Sequence, residues 1–323
     1  MAIIMPSSIA VIIINYGTAE LAIAAVESVL ARDHGHPVQV HLLDNASPGG
    51  DGAVLVDAHA GRRWGDRVTL WLEKENHGFG RGNNVVLRAL WDSPAPPDYV
   101  FLLNPDAQLE NEAIAFLADR LDVEPQAAAA GAGIALPSGT PVSAAFRFPS
   151  ALSEFVEAVN FGPLSRLFWD SKVALPADHS DGPVDWVSGA AVMMRLPVLR
   201  ALGGFDPDFF LYYEEVELMF RMRKSGYEIL YVPAARVQHA EGVATDVRSG
   251  SVRKAKPAYW YDSWRFYYLK TCGRSGAVAA GLAWMAGAGL NAPLAAFRGH
   301  RLRAPKGFFR DFARLVMRPL FFG

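Results

Sequence analysis

The chain has 323 residues, 51% of them hydrophobic, enough for one large domain, or a domain with an appendage, around a sizeable core. A formal net charge of −2 offers nucleic acid no overall attraction. The one cysteine, Cys272, excludes a disulfide framework and a cysteine-based zinc site, and it fits a reducing compartment.

Met1–Ser8 holds no basic residue, and the apolar run Ile9–Ile14 is too short for the core of a secretory signal. The run reads as a first strand that ends in Asn15-Tyr16. Further strands are expected at Val38–Leu43, Val68–Leu72, Tyr99–Leu103 and Ala128–Ala132, with helices between them at Ala19–Ala31, Gly50–His59, Gly82–Trp91 and Asn111–Asp122. Val38–Asp44 partly alternates, but the other strands are continuous apolar runs, as strands covered on both faces should be. Repeated βα units predict an α/β fold with a mostly parallel sheet flanked by helices.

In open sheets of this kind ligands bind outside the carboxyl ends of strands, and several polar motifs fall there. Tyr16 could stack on a base, and Asp44 could accept from a ribose hydroxyl or a base N–H. Asp44-Asn45-Ala46-Ser47 equally reads as a turn whose serine caps the next helix. Asn76-His-Gly-Phe-Gly-Arg-Gly-Asn-Asn84 leaves the third strand and opens a helix, where glycines let backbone approach a ligand and free amides suit phosphate. It matches the dinucleotide-binding fingerprint poorly, because it follows the third strand and has Asn83 where a third glycine belongs. Asn104-Pro105-Asp106 follows the fourth strand, which Pro105 stops. Asp106 could hold a divalent metal there, or could cap a helix from Leu109 onward.

Pro137–Pro183 reads as a variable insertion or loop with one amphipathic piece, Leu152–Phe161. Order returns with Val184–Met194, strand-like and interrupted by Gly189. A helix at Pro197–Leu202 and another at Glu214–Ser225 follow, then a strand at Tyr227–Val232 ending at Pro233. Glu214, Glu215 and Glu217 crowd the first turn of the second helix. Acids there complement the helix dipole, yet three in four positions exceed what capping needs. Repulsion and partial burial would lift one of them toward the range of a general base, and Glu215 is the candidate. Glu217 and Arg221 should pair on the surface. His239, just after a strand, gains meaning only as a partner for a metal at Asp106.

No segment reads as a convincing membrane span, the nearest being Ala277–Phe297. From Arg298 to Gly323, seven basic residues (Arg298, Arg301, Arg303, Lys306, Arg310, Arg314, Arg318) face one acid, Asp311. Phe308, Phe312, Leu315 and Val316 fall near helical spacing. The tail suits an anionic membrane surface, or else docks on the domain with its arginines solvated.

Taken together and in this order, Asn15-Tyr16, Asp44–Ser47, Asn76–Asn83, Asn104–Asp106, Trp186-Val-Ser-Gly189-Ala190, Gly203-Gly-Phe-Asp206, Tyr213–Leu218 and His239 resemble the family 2 glycosyltransferases of the GT-A fold, in particular bacterial rhamnosyltransferase-like members. The resemblance spans about residues 9–270. It implies a Rossmann-like GT-A catalytic domain over 1–270, with a nucleotide-sugar-binding half at about 9–135 and an acceptor and catalytic half at about 184–270. Residues 271–323 would form a helical basic and apolar tail. The implied reaction is inverting transfer of rhamnose or another hexose from a dTDP- or UDP-linked donor to a glycan or polyprenyl-diphosphate-linked acceptor. That places the enzyme in the cytoplasm, peripheral on the inner face of the membrane. Donor contacts would come from Asn15, Tyr16, Asp44, Asn45, Gly78, Phe79, Gly80, Asn83 and Asn104. The acceptor side would include Trp186, Gly189, Glu214 and Glu217. Asp106 and His239 would hold Mg²⁺ or Mn²⁺, and Glu215 would be the base. Related sequences usually read Glu-Asp-Val-Asp-Leu, whereas Glu214–Leu218 carries the longer glutamate at both aspartate positions. A nucleotidyltransferase is the competing enzyme class, but it would want a basic Gly-rich loop after the first strand, where Asn15–Glu20 has no Lys or Arg. A catalytically impaired sugar-binding scaffold is the non-enzymatic alternative.

Overall fold

A computed structural model describes residues 6–240, 254–299, 302 and 304–323; Arg301 and Arg303 of the basic tail lie outside them. The first half alternates as expected: β1 (Ile9–Asn15), α1 (Ala19–Leu30), β2 (Val38–Asp44), α2 (Asp51–Gly61), β3 (Val68–Leu72), α3 (Gly78–Trp91) and β4 (Tyr99–Leu103). Then come β5 (Ala107–Leu109), α4 (Ala113–Val123) and β6 (Ala127–Ala135). The middle of the chain holds β7 (Pro141–Val142), β8 (Ala145–Phe146), α5 (Ala151–Val159), α6 (Gly162–Leu167), β9 (Gly182–Val184), β10 (Trp186–Val187) and β11 (Ala191–Arg195). The remainder is α7 (Leu196–Leu202), α8 (Glu214–Lys224), β12 (Glu228–His239), α9 (Ala258–Arg298), α10 (Phe308–Phe312), a π-helical turn at Ala313–Met317, and α11 (Arg318–Phe322).

The main sheet runs β3-β2-β1-β4-β11-β6-β12-β5. β1, β2, β3 and β4 pair in parallel, and β6 pairs in parallel with β12. β11 is antiparallel to both β4 and β6, so those two groups point the same way across it. The sheet is therefore mostly parallel, as its apolar runs predict. Every residue of β1 and β4 is buried, and one apolar layer covers each face. Strand order reverses between β2-β1 and β1-β4, which opens a crevice at their carboxyl ends.

Four sequence expectations change. Residues 107–109 form an edge strand, so Asp106 caps no helix and α4 starts at Ala113. Val184–Met194 serves three separate pairings: β9 on β12, β10 on β8, and β11 on β4 and β6. Pro233 does not end the last strand. The register of β12 against β6 shifts between Val232 and Arg236, so the proline sits in a bulge and pairing resumes to His239. Finally, 137–183 is no loose insertion. A Ser150/Ser153 capping box starts α5, which lies against α9 so closely that a Cβ on Gly287 would meet the Phe155 carbonyl at 2.6 Å. Asn291 Nδ2 donates to Val159 O at 3.0 Å in the same seam.

α9 is long and apolar enough, by length and composition, to cross a membrane. Its first part is nonetheless core, with Tyr261, Trp264, Tyr267 and Tyr268 all buried, and its later part packs on α5 and the tail. The helix breaks at Gly273, whose φ is 66°. The apolar stripe of the tail turns inward: Phe308, Phe312, Val316 and Leu320 are buried, with the Phe308 and Phe312 rings 4.8 and 4.9 Å from Trp284. That stripe therefore meets protein. What remains outward is Phe297, Phe309, Phe321 and Phe322, together with Arg298, Arg310, Arg314 and Arg318.

Glu154 on α5 joins these layers. Its Oε1 accepts from Trp264 Nε1 at 2.9 Å and Tyr268 OH at 2.8 Å. Burial raises its pKa from 4.5 to about 7, against the pull of those two donors. The folded chain thus keeps a proton that the unfolded chain releases. The associated stability is fully present below pH 4.5 and is lost as pH rises through 7, at a slope of at most about 1.4 kcal/mol per pH unit. We predict that Glu154→Gln flattens that decline. Chemical denaturation of the two proteins across this window checks it, and identical slopes would refute it.

Candidate active site

At the carboxyl end of β1, Asn15 Nδ2 donates to Asp44 Oδ1 at 2.9 Å and to Asp51 Oδ2 at 3.0 Å. Ser47 Oγ donates to Asp44 Oδ1 at 2.6 Å. Parallel pairing puts Asn15 beside Asp44, so two strand ends share one network. Asp44 is buried and oriented by these donors, while Tyr16 is exposed at the rim.

Asn45 turns the other way. Its Nδ2 donates to Asn76 Oδ1 and Gly78 O, and its Oδ1 accepts from His77 N at 3.0 Å. Its amide is thus engaged in shaping the Gly-rich turn. That turn is already helical, since α3 begins at Gly78 and not at Gly82. Gly78 has φ 76°, and a Cβ there would meet Phe210 O at 1.9 Å. A Cβ on Gly80 would meet the Phe205 side chain at 3.0 Å. These glycines admit the 203–213 loop. Asn84 fastens it, accepting from Phe205 N at 2.9 Å and donating to Phe205 O at 2.7 Å. Asn83 Nδ2 donates to Phe79 O at 3.0 Å, while its Oδ1 is buried without a partner.

β5 pairs with the end of β12 so that Ala107 lies opposite His239. This sets His239 Nε2 3.0 Å from Asp106 Oδ1, with the Asn104 amide 3.3 Å from the same ring nitrogen. Neighbouring ligand atoms on an octahedral ion with bonds of about 2.1 Å lie about 3 Å apart. The Asp106 and His239 ligand atoms are spaced as two neighbouring ligands of one divalent cation would be. Another His/Asp grouping among the described residues, His36 with Asp119 and Asp122, lies near the start of β4. There Asp122 Oδ1 is already occupied by Tyr99 OH at 2.6 Å.

The 203–213 loop delivers α8 to the crevice. Tyr212 and Tyr213 both adopt left-handed backbone, φ 72° and 68°, which bulky residues avoid unless their surroundings hold them. The first part of α9 does so. Tyr267 lies 5.2 Å from the Tyr213 ring, Ser263 Oγ donates to Leu211 O at 2.9 Å, and Lys270 Nζ sits 2.8 and 2.7 Å from Asp206 and Asp208. Glu214 and Glu215 follow directly, and each keeps an Oε2 that is buried without a hydrogen-bond partner among the described residues. Burial raises both pKa values, Glu214 well above the ordinary 4.5, with the Glu215 charge adding to it.

A cavity of about 220 Å³ brings Asn104, Asp106, His239, Phe79, Gly189, Glu214 and Glu215 together. Glu215 also lines a second cavity of about 460 Å³ that holds Trp186. Glu217 lines neither. Its carboxylate grips Arg221 Nε at 2.8 and 2.9 Å, and Arg221 donates to Leu202 O and Gly204 O. The expected pair is therefore real but not superficial, since only 4% of the Glu217 side chain is exposed. Its place is in a clamp between α8 and the 203–204 turn. Asn15, Tyr16 and Asp44 sit apart from the small cavity, at the carboxyl ends of β1 and β2. Motif reading gave no role to Asn84, Lys270 or the α9 aromatics, although an aromatic at seven of the ten positions from 259 to 268 is too dense for a solvated helix face.

Comparison with known proteins agrees with this geometry. The family described as "Glycosyltransferase like family 2" matches residues 6–257. An N-acetylglucosaminyl-diphospho-decaprenol L-rhamnosyltransferase of Mycobacterium tuberculosis is 31% identical over 221 residues, covering 65% of this chain and 68% of that protein. Rhamnosyltransferase WbbL of Escherichia coli is 25% identical over 167 residues, covering 50% of this chain and 61% of that protein. Among solved structures, the mannosyltransferase PcManGT from Pyrobaculum calidifontis, in complex with GDP-Man and Mn²⁺, superimposes with a TM-score of 0.52 at 18% identity, over 92% of this chain and 79% of that one. The fold is GT-A, and the chain belongs to glycosyltransferase family 2.

Proposed function

We propose that this glycosyltransferase moves rhamnose or a related hexose, with inversion, from a dTDP- or UDP-linked donor to a polyprenyl-diphosphate-linked glycan. The sugar and acceptor classes are extended from the relative named for rhamnosyl transfer to N-acetylglucosaminyl-diphospho-decaprenol. One observation carries the mechanism: Glu215 faces the same small cavity as Asp106 and His239. At about 220 Å³ that cavity is smaller than the ~300 Å³ lower range of whole-ligand sites. The nucleoside would therefore lie beyond it, toward Asp44 and Tyr16.

Asp106 and His239 would hold Mg²⁺ or Mn²⁺, whose charge offsets that of the departing diphosphate. Glu215 removes the proton from the attacking acceptor hydroxyl, and its burial supplies the basicity. Burial raises the Glu214 pKa well above 4.5, with the Glu215 charge adding to it, which disfavours a second negative charge beside Glu215. One displacement from the face opposite the leaving group inverts the anomeric carbon. Phe79 and Gly189 close the cavity around the sugar. The break at Gly273 supports taking 1–270 as the catalytic unit and 271–323 as an appended helical layer. Exposed Phe297 (91%) and Phe322 (85%) beside outward arginines support peripheral attachment of that layer to the anionic inner face of the membrane.

Asp106→Ala should remove the Mn²⁺ dependence of UDP or dTDP binding in calorimetric titration; a variant that keeps it would exclude Asp106 as a ligand. Glu215→Gln should leave nucleotide affinity intact and lower turnover at least about a hundredfold. In the unaltered enzyme, activity should fall as pH drops through a pKa above 4.5, because the base must be unprotonated; near-normal turnover of the variant would remove Glu215 from the mechanism. Replacing Phe297, Phe321 and Phe322 together by serine should reduce pelleting with phosphatidylglycerol vesicles, and an unchanged pellet would argue against attachment there.

A further inference from the structure

The 460 Å³ cavity falls within the ~300–1,000 Å³ span of small-molecule sites. It meets the small cavity at Glu215, so whatever occupies it lies against the proposed base. Beside Trp186, Tyr213 and Glu215, its walls take in residues outside the motif regions: Glu157 from α5, Trp260 and Trp284 from α9, and Lys256 from the segment leading into α9. The two indole rings lie 5.4 Å apart, centroid to centroid. Glu157 gives one oxygen to Val173 N at 3.2 Å, which fixes the carboxylate at the wall and leaves its second oxygen for a hydroxyl. Lys256 is the one Lys or Arg among the residues lining either cavity. Its ammonium rests over Trp260, 5.4 Å from the ring centre, and pairs with no carboxylate among the described residues. Lys254 and Lys306 stand beside this wall, joined by Lys306 N donating to Lys254 O at 3.3 Å.

Aromatic faces suit the C–H face of a pyranose, a carboxylate suits its hydroxyls, and an ammonium group suits phosphate. Apolar surface continues outward from the same wall. Trp284 packs on Phe308 at 4.8 Å, and Phe308 on exposed Phe309 at 5.4 Å. Resting on the glycosyl-transfer reading above, we propose that this cavity seats the terminal sugar of a lipid-linked glycosyl diphosphate. Trp260 and Trp284 cover the ring, Glu157 takes hydroxyls, and Lys256 takes the diphosphate at the mouth. The lipid leaves toward exposed Phe309. Acceptor choice is thus made by α5 and α9, while the sheet motifs handle the donor.

The test uses the full chain and calorimetric titration. The probes are farnesyl diphosphates carrying N-acetylglucosamine, glucose, galactose or rhamnose, the matching benzyl glycosides, and UDP or dTDP with Mn²⁺ as control. At least one glycosyl diphosphate should bind more tightly than its benzyl glycoside and without displacing the nucleotide. Lys256→Met should weaken that probe about tenfold and leave the benzyl glycoside unchanged. Glu157→Gln should weaken both glycosides about fivefold. Neither variant should alter nucleotide affinity or melting temperature. No binding by any glycosyl probe, equal binding of the probe to Lys256→Met, or competition with the nucleotide would each overturn the acceptor assignment while leaving the donor reading intact. Failure of the nucleotide itself to bind would instead overturn the glycosyl-transfer reading.

Discussion

The crevice depends on how closely the backbone of 203–213 lies on the first turn of α3. Phe210 O occupies the space where a side chain on Gly78 would stand, and Phe79 N donates to that same oxygen at 3.1 Å. Asn84 closes the other end of the contact on Phe205. If the loop rode higher, Tyr212 and Tyr213 could relax out of left-handed backbone and α8 would swing away. With the loop pressed down, Glu214 and Glu215 are driven into the same void as Asp106. The sheet supplies that aspartate, and the loop supplies the acids facing it.

Burying two adjacent glutamates is unfavourable while both carry charge. Glu214 and Glu215 each carry an unpartnered oxygen, a state that core packing alone would not retain. Glu217, one turn along, shows the contrasting solution: its charge is matched at once by Arg221. A single helical turn therefore holds one carboxylate committed to architecture and two left unsatisfied where a substrate would go. The bulged β12 makes a similar bargain on the opposite wall. It breaks its ladder at Pro233, then resumes just far enough to set His239 against Asp106.

Much of the first half of the chain was legible because continuous apolar runs bounded by polar strand ends have few other readings. β1 to β4 and the intervening helices lie within a few residues of expectation. The acidic cluster and the Asn-Pro-Asp turn were legible as chemistry. β5 was not, since three residues carry no periodicity. The far end of β12 was not, because a proline inside a strand argues for a stop unless a bulge absorbs it. The tail shows a deeper limit. A stripe of Phe308, Phe312 and Val316 has the same spacing whether it faces lipid or the indole of Trp284, and only the rest of the fold decides. The larger cavity was invisible for a related reason: α5 and α9 come together across more than a hundred residues of chain without any motif to mark them.

The two cavities share Tyr212 and Glu215 in their walls. On the proposed assignment, the sugar has only the span of a single carboxylate to cross, and neither reactant needs to leave its berth for the bond to be exchanged. On that assignment, the residue that takes the proton also stands where donor and acceptor would meet.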